Sequence, residues 1–196
     1  QTATLSITAA PASSAFNTYR CVVSGTCTPA VISAPAELTI QRKPVVTTNP
    51  VDFTTCSTSI QASYSVAATG TGLTYQWQSS ATGVAGSYTN LSNAGVYSGV
   101  TTNVLSINGG TMALNNSFYR CVVSGTCAPA AISSAAQLFI NVPAAITNNP
   151  SSVAVCETGN TSFTTSATGT GITFQWQVNN GSGFTNVTNG GVYSGA

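Results

Sequence analysis

The chain has no histidine, and only seven of its 196 residues carry charge: Arg20, Arg42, Lys43 and Arg120 against Glu37, Asp52 and Glu157. Without histidine, and with three scattered carboxylates, no acid–base dyad or triad assembles within one repeat. A net charge of +1 offers no electrostatic footprint for nucleic acid or an anionic membrane. No apolar run approaches the roughly 18 residues that a spanning helix needs. No Cys-x-x-Cys pair and no Asp-rich loop is present, so zinc and calcium sites lack their ligand patterns. No cofactor is expected. Gly70-Thr71-Gly72 lacks the third glycine and the following helix of a dinucleotide loop, and is expected to be a turn between strands.

What is present is repetition. Tyr19-Arg20-Cys21-Val22-Val23-Ser24-Gly25-Thr26-Cys27 recurs letter for letter as Tyr119 to Cys127, 100 residues later. Thr69-Gly70-Thr71-Gly72-Leu73-Thr74-Tyr75-Gln76-Trp77-Gln78 returns as Thr168 to Gln177 with Ile172 and Phe174 in place of Leu73 and Tyr75. Pro44-Val45-Val46-Thr47-Thr48-Asn49-Pro50 matches the Pro143 to Pro150 segment. Such self-similarity marks a module in an array. The phase divides the chain into residues 1–43, the second half of a module; 44–142, a complete module; and 143–196, the first half of the next. Neither half has enough chain to bury a core alone. Gly191 to Ala196 aligns with Gly95 to Val100, and Gln1 to Ile7 with Thr101 to Ile107. The expectation is a stretch of a longer repetitive protein, or the repeating subunit of a filament.

The complete module alternates apolar and polar residues over short runs: Ile60–Val66, Leu73–Gln78, Val104–Ile107, Phe118–Val123 and Ala136–Ile140. Gly- and Asn-rich turns separate them, and no 3.6-residue period is sustained. About seven short strands in about 100 residues predict an all-β fold of antiparallel sandwiches. Trp77 is placed where such sandwiches bury a strand-C tryptophan, and Tyr119, two residues before Cys121, has the spacing of a tyrosine corner. Trp77, Tyr119 and their repeats Trp176 and Tyr19 are the expected core.

On the Tyr-Gln-Trp-Gln strand, the Gly-Val-Tyr-Ser-Gly turn and the Tyr-Arg-Cys-Val-Val-Ser-Gly-Thr-Cys strand, the whole chain resembles immunoglobulin-like repeats of very large surface and secreted proteins of Bacteroidota-type bacteria. Gliding-motility adhesins exported by the type IX pathway are among them. The resemblance implies an extracellular, cell-surface location.

Each period carries three cysteines: Cys56, Cys121 and Cys127, repeated as Cys156, Cys21 and Cys27. A regular cysteine pattern favours an oxidising compartment. Three connectivities stay open: a local Cys121–Cys127 pair, a Cys56–Cys121 bridge, or a bridge from Cys127 to the preceding module's counterpart of Cys56. An unpaired, buried Cys121 is the plain alternative.

The expected role is a structural or adhesive segment, giving reach and surface attachment. Its partners would be neighbouring copies of the same repeat and surface glycans. Near-absence of charge on the strands leaves sheet edges open to self-association. The alternatives are a carbohydrate- or protein-binding module, with Tyr88, Tyr97 and Arg120 facing a ligand, or a non-catalytic spacer of a large secreted enzyme.

Overall fold

The computed structural model describes residues 2–196. Residues 2–43 hold β1 (Thr18–Tyr19), β2 (Val22–Val23), β3 (Val31–Ile32) and β4 (Ala36–Glu37). The complete module holds β5 (Val45–Thr48), β6 (Phe53–Cys56), β7 (Gln61–Ser65), β8 (Ala67–Thr69), β9 (Thr74–Ser80), β10 (Thr89–Asn90), β11 (Tyr97–Ser98), β12 (Val104–Asn108), β13 (Phe118–Ser124), β14 (Ala131–Ile132) and β15 (Ala136–Asn141). Residues 143–196 hold β16 (Ala145–Asn148), β17 (Ser166–Thr168), β18 (Gln177–Asn179) and β19 (Phe184–Asn186). Among the described residues there is no α-helix, only two single-turn 3₁₀ segments.

The complete module is a two-layer sandwich. One sheet runs β10-β9-β13-β15-β6, with β14 also on β13, and the other runs β11-β12-β7. Period-two alternation sends one set of side chains inward. Ala62 and Tyr64 of β7, Leu105 and Ile107 of β12, Tyr119, Cys121 and Val123 of β13, and Ala136, Leu138 and Ile140 of β15 are all buried. Trp77 of β9 fills the centre with no exposure, and its Nε1–H donates to the Thr102 carbonyl at 2.9 Å. Tyr64 stacks on Tyr119 with ring centroids 5.1 Å apart. Every buried side-chain polar atom has a partner.

Two details differ from the expectation. The pairing is not wholly antiparallel, because β6 runs parallel to β15, Leu138 facing Phe53 and Asn141 facing Cys56. The first strand pairs with β8 through β5, then changes layer past Pro50. Proline has no N–H to donate, so the ladder breaks there and the chain crosses over. The Tyr119 hydroxyl meets the Tyr97 hydroxyl at 3.3 Å, where a tyrosine corner would have it bond an upstream backbone group.

The flanking halves keep the pairings that lie within a half. β1–β4 and β2–β3 reproduce the β13–β15 and β13–β14 pairs. β16–β17 and β18–β19 reproduce β5–β8 and β9–β10, including the bulge on the first strand. The ladders that join the two halves of the complete module, β9–β13, β7–β12 and β6–β15, have no counterpart among the described residues. The core side chains of the halves are therefore bare. Val23 is 57% exposed and Leu5 70%, where Val123 and Leu105 are fully covered. Tyr19 and Trp176, expected in a core, are only half-buried, because each half supplies only some of the strands of each layer.

Candidate functional site

Among the described residues, the joint between modules is a hydrogen-bonded feature that repeats at both boundaries. Thr71, in the turn between β8 and β9, ties three segments together. Its N–H donates to the Arg42 carbonyl at 3.0 Å, its Oγ1 accepts from the Arg42 N–H at 3.0 Å, and its carbonyl accepts from the Thr126 N–H at 2.9 Å. The linker, the β8–β9 turn and the loop after β13 are thus fastened at one pole. The second boundary repeats the first two bonds. Thr170 N–H donates to the Val142 carbonyl, and Val142 N–H to Thr170 Oγ1, each at 2.9 Å.

Glycine makes this approach possible. Gly70 has φ +149°, and a Cβ there would stand 2.8 Å from Leu73 Cδ2 and 3.0 Å from Pro44 Cα. Gly169 has φ +147°, and its Cβ would stand 2.7 Å from Ile172 Cγ2 and 2.9 Å from Ala144 Cα. Only glycine adopts that backbone without cost and leaves room for the linker. Sequence reasoning saw Gly70-Thr71-Gly72 as a turn and missed its grip on the linker. The available signal was its recurrence together with the following proline-led linker.

The residues singled out as ligand-facing separate. Tyr97 turns inward, its hydroxyl on Tyr119 and its ring 6.2 Å from that of Tyr119. It packs at the core edge, because β11 pairs with β12 and so presents Tyr97 to the buried layer. Tyr88 and Arg120 do come together. The Arg120 guanidinium lies 3.8 Å from the Tyr88 ring centroid, and its Nε–H donates to Gln78 Oε1 at 2.9 Å. The cation covers one face of the Tyr88 ring.

All six cysteines are free thiols in this structure. The local Cys121–Cys127 pair does not form, since β13 stays extended to Ser124 and pairs there with Thr74. The tight turn at Ser124-Gly125 that the pair needs is absent. Cys56–Cys121 does not form either: Cys56 ends β6 opposite Asn141, whereas Cys121 lies mid-strand opposite Trp77. The remaining geometry is informative. Cys56 adjoins Asn141 at the joint with the following module, and Cys127 follows Thr126 at the joint with the preceding one.

No group of three or more His, Cys, Asp or Glu residues is placed to hold a metal among the described residues. No helix there is long and apolar enough to cross a membrane.

No protein family matches the sequence, and no curated protein does. Solved structures do. The first five immunoglobulin domains of Sidekick-1 superpose with a TM-score of 0.53 and 19% identity over 87% of this chain and 36% of that one. The N-terminal eight Ig domains of Down Syndrome Cell Adhesion Molecule give 0.54 and 16% over 68% and 16%. Extracellular domains 3–5 of Drosophila OTK give 0.51 and 14% over 91% and 56%. The fold is a tandem array of immunoglobulin-like sandwiches. The chain spans little more than half, or less, of each of these proteins, and the likeness is one of fold.

The buried acids of the complete immunoglobulin-like module carry a pH dependence. Burial pushes the Cys121 thiol up to about 11. Burial, with the Asp52 charge adding to it, raises Tyr64 above the ordinary phenol value, and burial with the Tyr97 hydroxyl bond raises Tyr119. Each is an acid whose folded pKa lies above its unfolded one. Its stabilisation is complete below the unfolded value and is lost as pH rises through the folded value. The expected result is a melting temperature that falls once pH passes about 9, followed by circular dichroism. A melting temperature constant to about pH 11 would remove this account.

Proposed function

We propose that this chain is a structural, non-enzymatic segment of a long extracellular surface protein or filament, providing reach and attachment. One observation carries the reading: the same backbone clamp, Arg42 on Thr71 and Val142 on Thr170, recurs at both module boundaries. A joint repeated in this way stacks modules in a constant relation, which is how quasi-one-dimensional arrays gain length. The clamp uses no charged side chain, so salt does not screen it. A hydroxyl- and amide-rich surface suits contact with neutral surfaces and glycans. The cell-adhesion name of one structural neighbour agrees with this role. The exported, Bacteroidota-type origin belongs to the same proposal, as does a disulfide across the joint from the loop after β13 to the β6 cysteine of the preceding module.

Antibody raised against residues 44–142 should label intact cells of the source organism and decorate thin surface appendages by immunogold microscopy. Labelling that requires permeabilised cells would sink the proposal.

A further inference from the structure

Two of the four cations of the chain stand side by side in one linker. Arg42 and Lys43 lead into Pro44, and Val142 and Pro143 hold the same places before Ala144. The backbone clamp is the same at both joints, Arg42 on Thr71 and Val142 on Thr170, so the charges are not needed to build it. The first joint also holds an open cleft of about 800 Å³, lined by Ala12, Arg42, Lys43, Val45, Thr69 and Gly70. No carboxylate lines it, and both cations are exposed. Thr71 grips Arg42 by its backbone N–H and carbonyl alone, which leaves the guanidinium uncommitted by the clamp. Arg120 differs: its guanidinium is engaged by Gln78 and by the Tyr88 ring.

The walls of the cleft are surfaces that whole modules leave uncovered. Val45 and Thr69 belong to the complete module, where Val45 is 48% exposed and Thr69 is exposed as well. Ala12, on the opposite wall, has Met112 as its counterpart in the complete module, and Met112 is 42% exposed there. Val142 and Pro143, the counterparts of the two cations, are exposed at the end of that module. The strands of a module therefore do not cover these positions. The two joints differ in chemistry, with alanine, arginine and lysine at the first where the second has methionine, valine and proline.

We propose that this cleft binds an acidic polysaccharide, with Arg42 and Lys43 taking the carboxylate or sulfate groups of neighbouring sugars. The site gives a chemical class to the attachment proposed above and rests on that reading for its role. A guanidinium forks onto an oxyanion through two parallel bonds, and an ammonium adds a rotatable point charge. The two Cα atoms stand about 3.8 Å apart, and long side chains let the cations spread to acidic groups on successive rings. Ala12 and Val45 offer small apolar surface to the C–H face of a ring, and Thr69 offers a hydroxyl. Exposed ion pairs are individually weak in water, so a polymer that presents many acidic groups is held better than a single anion. Other anionic partners fit less well. Nucleic acid takes a longer row of cations and aromatic side chains for its bases, whereas the cleft has two cations and no aromatic residue. Anionic membranes attract clusters of about four to eight basic residues. A protein partner anchors in an enclosed pocket, and this cleft is open.

The test titrates the chain with polygalacturonate, dextran sulfate, neutral dextran and single-stranded oligothymidylate at low salt, followed by isothermal titration calorimetry. At least one acidic polysaccharide should bind, more weakly as salt rises, and neutral dextran should not. The polygalacturonate and dextran sulfate arms separate carboxylate from sulfate recognition. The paired variant Arg42→Val with Lys43→Pro places the letters of the second joint in the first, so the clamp is kept. Its affinity for the bound polysaccharide should fall at least about tenfold. Arg20→Gln removes a cation from outside the cleft and should keep affinity within about twofold. Unchanged hydrogen exchange at the residue-42 amide checks that the paired variant retains its joint. The proposal is overturned if neither acidic polysaccharide binds, if oligothymidylate binds equally well, or if Arg20→Gln loses as much as the paired variant. Binding by a chain that fails to label intact cells would remove surface display and keep the site, so the two failures are distinct.

Discussion

Trp77→Ala will cost the central module about 3–5 kcal/mol, and Trp176→Ala, the same residue one repeat later, will cost less than about 1 kcal/mol in a chain of residues 1–196 alone. Trp77 is fully buried, touches Tyr64 with centroids 6.5 Å apart and donates to Thr102. Its removal leaves a cavity and an unpaired carbonyl in a module with roughly 5–15 kcal/mol of total stability. Trp176 is half-buried in residues 143–196. Urea unfolding followed by far-ultraviolet circular dichroism should show the midpoint falling by roughly 1–3 M for Trp77→Ala alone. Equal losses in the two variants would mean that the half already has a closed core, and the account of its open face would be wrong.

Gly70→Val will open the joint between residues 1–43 and the central module. The new side chain meets Leu73, Pro44 and the Lys43 carbonyl in a backbone conformation at φ +149°. Strain of about 1–3 kcal/mol from the backbone and a similar amount from overpacking fall on the turn that holds Arg42. Thr71→Val isolates the bonding part, since it keeps the volume and removes the oxygen that accepts from the Arg42 N–H. Hydrogen exchange at the Arg42 amide should accelerate in both variants, by about tenfold or more in Gly70→Val. Small-angle scattering should show a broader distribution of long distances. Unchanged Arg42 exchange in both would mean that the turn does not hold the linker.

Much of the sandwich was legible because alternation is a local signal. Ala62 and Tyr64, Leu105 and Ile107, and Tyr119, Cys121 and Val123 each show their inward face in three to seven consecutive letters. The layer change at Pro50 was not legible. A proline before a short strand says that a ladder ends, but not which sheet receives β6. The contact of Tyr97 with Tyr119 was not legible for a related reason: in a two-residue strand, only pairing with Ile107 decides which face is buried. Thr71 was invisible as a functional residue because its partners, Arg42 and Thr126, lie 29 residues before and 55 after it. The cysteines were the hardest. Their spacing is compatible with several pairings until β13 is seen to continue straight through Ser124.

The parallel pairing of β6 with β15 decides how a module bears tension. The chain enters near β5 and β6 and leaves from β15, so a pull along the array draws these parallel neighbours in opposite senses along their own length. The four facing pairs, Phe53 with Leu138 through Cys56 with Asn141, are then loaded together in shear and cannot peel one at a time.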